Sequence, residues 1–416
     1  MLKEHADFSY VQNQLMLKGI YRTGNKTPLL NVLFRGLSHF EKQFANPSSA
    51  KLIWHRINCP SGLGYDRLAF TDFLASLEAD VLANLSSGKT KLVLDYSHEG
   101  RRVKSGRGFP RIEQQLSEIG LTADCCFVLT QNRSALASVA DKDIGLKVGY
   151  AHSHGSTVYL NLKENGAFAA HGTEFGTALI DEGLPRKNFI SLNRELRAHR
   201  ALLVARLHEN GFLGNLSFSH DQVRFAFVYD RVTTELTEIS TKAKLELNQR
   251  MVTDLLNREF VFKIDEPEGN RADNYTAVYD MPVSVLRQSE LFIVTETEMS
   301  SAALQRITEK TIKAVISGLP FVVFGNPYSI KFLRDLGFNV HDGLVDHGYD
   351  VIEDPAMRFE AAWAEVKRLL AQMPGLIDRN LDFLWGASET NKHVFEDVIL
   401  DLMLIKPLHE ILTWID

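Results

Sequence analysis

Arg194, Arg197 and Arg200 stand three residues apart where SLNRELRAHRALL leaves an apolar run and enters a helical one. At that spacing they share roughly one face over the first two turns. A cation at a helix N-terminus opposes the macrodipole by about 0.3–1 kcal/mol, and a bound anion reverses that sign. Guanidinium forks and free helix N–H groups both suit phosphate oxygens, so this helix start reads as a diphosphate cradle. The same spacing also fits a solvated basic face, partly neutralised by Glu195.

A second group lies in RITEKTIKAVISGLPFVVFG, residues 306–325. Thr308 is a good N-cap, and Glu309 after it favours the helix dipole. If this helix opens at the C-terminal edge of a sheet, Glu296, Glu298, Glu309 and Lys310 crowd its mouth. A carboxylate there can accept from both hydroxyls of a ribose, and a lysine can meet a phosphate. The cap by itself needs no ligand, so both readings stand.

In LDYSHEGRR, residues 94–102, an apolar run ends and presents Asp95, His98 and Glu99, then Arg101 and Arg102. Polar groups just past a strand end in an α/β domain face the ligand crevice. Glu99 or His98 is then placed as a general base; the other reading is an ordinary polar loop. His152 and His154 form an HxH pair, and His171, His199, His220 and His347 complete a histidine set. No third ligand follows at a recognisable spacing, so no metal is expected.

These groups must be positioned by alternating strands and helices. Short apolar runs at 91–97, 124–131, 188–193, 289–297 and 320–325 read as buried strands, and 338–340 begins another. Helical patterns cover 66–84, 110–120, 195–211, 308–318, 329–338, 357–373 and 393–413. Strands alternating with helices predict parallel sheets covered on both faces. Gly318 and Pro320 punctuate the end of one helix and the start of the next strand. The expected division is 1–185, 186–385 and a C-terminal helical segment 386–416, which packs back on the body or forms a homodimer interface.

The chain has 416 residues, enough for two domains. A net charge of −6 offers no broad basic face for nucleic acid. Cys59, Cys125 and Cys126 have no disulfide or zinc spacing. The N-terminal stretch lacks the apolar core of a signal peptide and no run is long enough to span a membrane, so a cytoplasmic location is expected.

ELFIVTETEMSS followed by RITEKTIKAVISGLPFVVFGNPYSIKFLRDLGF resembles the donor-binding region of the alpha-1,3-fucosyltransferases. The matching residues are Phe292, Glu296, Thr308, Glu309, Lys310, Gly318, Pro320 and Gly325. Upstream, ISLN ending at Asn193, with Arg200 after it, is similar to the family's Ser-Asn strand end followed by an arginine. Thr297 and Glu298 stand where the family has Asn-Ser. The pattern is also similar to glycosyltransferases of bacterial or phage type. The resemblance implies a GT-B architecture, two Rossmann-like domains facing a central cleft. It implies an inverting, metal-independent transfer from a nucleotide sugar, GDP-linked in the family, to a hydroxyl of a glycan or other acceptor. Glu99 would be the base, Arg197, Arg200 and Lys310 would hold the diphosphate, and Glu309 with Lys310 the ribose. The rival expectations are a non-catalytic nucleotide- or glycan-binding scaffold, and a metal-dependent hydrolase built on the histidine set.

Overall fold

The computed structural model describes residues 10–16, 20–23, 49–56, 67–97, 109–140, 145–164, 175–181, 183, 185–193, 196–218, 225–257, 281–300, 304–399 and 401–416. By contacts the chain divides into two compact units. The first is Met1–Leu160 with Ala303–Arg306 and Asp397–Asp416; the second is Asn161–Ala302 with Ile307–Glu396. The first therefore ends at Leu160 rather than near 185, and it takes back only the last part of the C-terminal segment.

Among the described residues the first unit holds a parallel sheet of β1 (Ile20–Thr23), β2 (Leu52–Arg56), β3 (Lys91–Tyr96), β4 (Cys126–Thr130) and β5 (Lys147–Tyr150), in that order across the sheet. Right-handed crossovers that always step the same way put every connecting helix on one face. The core agrees with this. Ile53, Leu92, Leu94, Tyr96, Cys126 and Val128 point to one side and pack with Phe70, Phe73, Val81, Leu85, Phe109, Ile112 and Leu116 from the connecting helices.

The opposite face needs another cover, because a parallel sheet of this kind is buried on both sides. Phe127 lies there beside Trp414, ring centroids 5.5 Å apart, and the Lys91 ammonium stands 5.2 Å from the same indole. Gly149 leaves room for this packing: a Cβ on it would meet the Phe127 ring at 2.8 Å and Glu410 Oε2 at 3.2 Å. The helix Lys406–Ile415 thus closes the second face of the first sheet. The single helix expected over 393–413 is instead a helix ending at Val394, two wide turns over Phe395–Ile399 and Asp401–Ile405, and this last helix. Pro407, which has no N–H to donate, stands in the first turn of the helix that follows the wide turns.

The second unit is a parallel sheet in the order β7 (Asn215–Phe218), β6 (Ile190–Asn193), β8 (Phe292–Thr295), β9 (Phe321–Phe324). The helix Ala198–Glu209 carries the chain from β6 outward to β7, and Glu309–Ser317 carries it from β8 outward the other way to β9. Strand order therefore reverses between β6 and β8. In open α/β sheets ligands bind at that switch point, outside the strands' carboxyl ends. Gly318 ends the second helix at φ 80°, and a Cβ on it would also meet Gly176 Cα at 2.8 Å. It is needed both for its left-handed backbone and for its bare Cα. No strand forms at 338–340: the backbone of Asn339 is bonded on both sides by the Asn391 amide, at 2.7 and 2.9 Å.

No helix among the described residues is long and apolar enough to cross a membrane.

Candidate functional site

The carboxyl ends of β6 and β8 lie side by side, Asn193 in register with Thr295 by extension of the Ile190–Phe292 pair. The Thr295 hydroxyl donates to Asn193 Oδ1 at 2.6 Å, and Asn193 Nδ2 donates to the Ser191 hydroxyl at 3.0 Å. This buried polar ladder replaces the apolar side chains a strand end would otherwise carry. It fixes the Asn193 amide at the switch point.

The first helix begins one turn later. Arg197 is its N-cap residue but supplies no capping side chain. The cap comes from Glu235 on the helix Phe225–Ile239, whose Oε2 accepts the Ala198 N–H at 3.1 Å while Oε1 lies 3.4 Å from Arg197 Nη1. Among the described residues, the Nε and Nη2 groups of Arg197 are buried without a hydrogen-bond partner. His199 Nε2 and Arg200 Nη2 both meet one oxygen, the Glu296 carbonyl, at 2.8 and 2.9 Å. A carbonyl only accepts, so Nε2 carries the proton and the neutral ring keeps its lone pair on Nδ1. Arg197, His199, Arg200 and Glu296 are each 3% exposed.

The second helix begins at the same edge. Thr308 caps it, its hydroxyl accepting from Lys310 N, as its residue type predicts. Glu296 is the other anchor. Its Oε1 accepts the Thr308 N–H at 2.8 Å and the Thr311 hydroxyl, and Oε2 accepts the Thr297 N–H at 3.3 Å. Both carboxylate oxygens of Glu296 are thus taken by donors of the chain itself, two of them at the helix start. Glu309 Oε1 pairs with Lys310 Nζ at 2.5 Å. Gly325 lets Glu296 past, since a Cβ there would stand 3.1 Å from the Glu296 side chain.

Glu296 joins the two helix starts, its carbonyl meeting His199 and Arg200 and its carboxylate meeting Thr308 and Thr311. Burial pushes the basicity of His199 well below the ordinary range; the nearby guanidinium of Arg200 and then the Arg197 and Lys310 charges push the same way, against the Glu296 hydrogen bond. Thus Asn193, Arg197, Arg200, Glu296, Thr308, Glu309 and Lys310 all belong to one strand-end group. His98, Glu99, Arg101, Arg102 and Arg194 lie outside the described residues. Asp95 turns away from any ligand role. It is buried, accepting from Trp54 Nε1 at 3.0 Å, Ser97 N at 2.9 Å and the Ser97 hydroxyl at 2.6 Å.

Two residues the sequence reading passed over hold this region. His199 was read only as one of a histidine set, although it sits between Arg197 and Arg200. Arg358, on the helix Pro355–Leu370, donates to the carbonyls of Gly325, Glu353, Ile352 and Ser300 at 2.5–2.9 Å. Its burial lowers its basicity to about 10. It ties the end of β9 to the loop that leaves β8.

His152 and His347 have separate partners. His152 Nδ1 accepts from Gly155 N at 2.8 Å, and His347 lies between Val340 O and the Tyr349 hydroxyl at 2.8 and 2.9 Å. Among the described residues no group of three His, Cys, Asp or Glu could hold a metal ion. An open concavity of about 550 Å³ in the second unit shares no residue with the switch-point group. Its arginines are already paired, Arg334 with Asp342 and Arg368 with Glu365. No family model matches the chain, and no curated protein matches it.

Proposed function

We propose that the chain is an inverting glycosyltransferase that uses no metal ion, of GT-B type, and that its second unit holds the diphosphate of a nucleotide-sugar donor at the β6–β8 switch point. What supports this is the gathering of Arg197, Arg200 and Lys310 around His199 where two helices begin. Arg197, a buried cation whose Nε and Nη2 groups have no hydrogen-bond partner among the described residues, suits an anion more than it suits an empty interior.

In this reading Glu99, with His98 beside it in the chain, takes the proton from an acceptor hydroxyl of a glycan or similar molecule. The freed oxygen attacks the anomeric carbon, and the bond from that carbon to the diphosphate oxygen breaks with inversion. Arg197, Arg200 and Lys310 take the charge that develops on the leaving group, the part a divalent ion plays in other glycosyltransferases. Asn193 and Glu309 face the nucleoside, and Glu296 holds the second helix in place. The resemblance to fucosyltransferases makes a GDP-linked sugar the first donor to test.

The test is a thermal-shift panel of GDP, UDP, ADP and CDP, since a ligand that binds only the native state raises its stability by RT ln(1 + [L]/Kd). The best binder's nucleotide sugars are then assayed for turnover, with and without chelator. Glu99→Gln should abolish transfer and keep the shift. No shift with any member overturns the proposal; a shift without turnover points to the non-catalytic binder.

A further inference from the structure

We infer that His199 is the proton-linked element of the nucleotide site: neutral while the site is empty, it takes up a proton when a diphosphate settles among Arg197, Arg200 and Lys310. The inference rests on the donor-site reading above and adds a regulation of that site by pH.

The geometry carries it in three steps. The ring is held in one orientation, because Nε2–H donates to the Glu296 carbonyl at 2.8 Å, an oxygen shared with Arg200 Nη2 at 2.9 Å. The neutral tautomer therefore turns the Nδ1 lone pair to the other side of the ring.

Among the described residues the charges that act on the ring are those of cations: Arg200 and Arg197 on its own helix and Lys310 from the next. The carboxylates nearby are committed elsewhere. Glu235 is bound to Arg197 and the Ala198 N–H, Glu309 to Lys310, and Glu296 to Thr308 N and the Thr311 hydroxyl. With burial, these cations keep the ring neutral.

A diphosphate brings two or more negative charges against the same three cations and reverses the local field. The lone pair on Nδ1 is then a basic position able to gain a proton near neutral pH. Linkage makes the effect mutual: by whatever factor the anion raises the ring's proton affinity, the proton raises the anion's affinity. A histidine serving only as a donor to the Glu296 carbonyl would show none of this. Gln at the same position can make that donation and cannot titrate.

The experiment uses the full chain and the best-binding member of the GDP, UDP, ADP and CDP panel. Affinity is measured calorimetrically between pH 8 and 6, in two buffers of different ionisation enthalpy to count protons, for the wild type and His199→Gln. The phosphate's own titration is common to both proteins and cancels in the comparison. The wild type should gain on the order of tenfold more affinity than the variant over that range, a coupling of ordinary allosteric size, and take up more protons. Superimposed pH slopes and equal proton counts, with both proteins binding, overturn the inference and leave the donor site standing. If no nucleotide binds, the donor-site reading falls and the inference with it. If His199→Gln does not fold, the ring nitrogens of wild-type His199 are followed by NMR at pH 7. They should change from the neutral to the imidazolium pattern on adding nucleotide, and a ring that stays neutral when saturated overturns the inference.

Discussion

Glu296 Oε1 accepts the backbone N–H of Thr308 at 2.8 Å, so the end of β8 holds the residue that caps the next helix. The same oxygen accepts the Thr311 hydroxyl, and the carboxylate is almost wholly buried. Removing it strands two buried donors, at about 1–3 kcal/mol each. Glu296→Ala should therefore lower the urea midpoint by an amount equal to about 2–6 kcal/mol. Glu296→Gln, which keeps one oxygen, should lose less. Unchanged midpoints in both would remove the brace.

Lys310 stands at the mouth of the site, its side chain 18% exposed and paired with Glu309. Its loss should weaken nucleoside-diphosphate binding by about 1.5–3 kcal/mol, the worth of a charge-assisted contact, whereas Lys310→Arg should retain most of it. Calorimetric titration with the best nucleotide decides this; equal affinity in Lys310→Ala would take the lysine out of the site.

Arg206 is buried and forked on Glu360 at 2.6 and 3.0 Å, with Asn248 Oδ1 at 3.1 Å and the Phe359 ring beneath it. Breaking a buried pair from one side leaves an uncompensated charge, which costs about 3–5 kcal/mol. Lys244 meets the same Glu360 at 2.8 Å from a half-exposed position and should be worth less than about 1 kcal/mol. Equilibrium denaturation of Arg206→Ala and Lys244→Ala should show that order, and equal losses would contradict it.

Acid should destabilise the protein before its carboxylates titrate. Burial lowers His341 to about 3 and His55 to about 4, and lowers His347 as well. His341 packs against Phe321 and Phe383, and among the described residues neither ring nitrogen has a hydrogen-bond partner. These rings are neutral in the fold, while the unfolded chain takes up protons near pH 6.5. Their contribution is complete above pH 6.5 and is lost as pH falls towards the folded values. At pH 5 His341 alone should cost about 2 kcal/mol. The φ of 63° at His341 is one that Asn tolerates, so His341→Asn is the non-titrating control. Urea midpoints from pH 7.5 to 5 should fall less steeply in the variant; parallel curves would reject the assignment.

Much of the second unit was legible because its signals are local. Thr308, Gly318 and Pro320 act within a turn of where they stand, and apolar runs of four to six residues announce β3, β4, β6, β8 and β9. The strand expected at 338–340 failed because strand formation needs a neighbour, and Asn391, distant in sequence, took that place. Likewise, Arg197 and Arg200 could be put on one helix start from their spacing. Their partners could not be named, since Glu235 and the Glu296 carbonyl lie far along the chain.

The sequence by itself determined an α/β chain of alternating elements, the caps and stops of its helices, and a set of cations near one helix start. Only the tertiary structure decided the strand order β7-β6-β8-β9, and with it the switch point, because crossover direction is set by which faces pack. It also decided that Glu296 braces a helix, that Asp95 is internal, and that His199 is the centre of the group rather than a bystander. Each of these depends on burial and on partners brought together by folding, and neither is written in the spacing of the residues concerned.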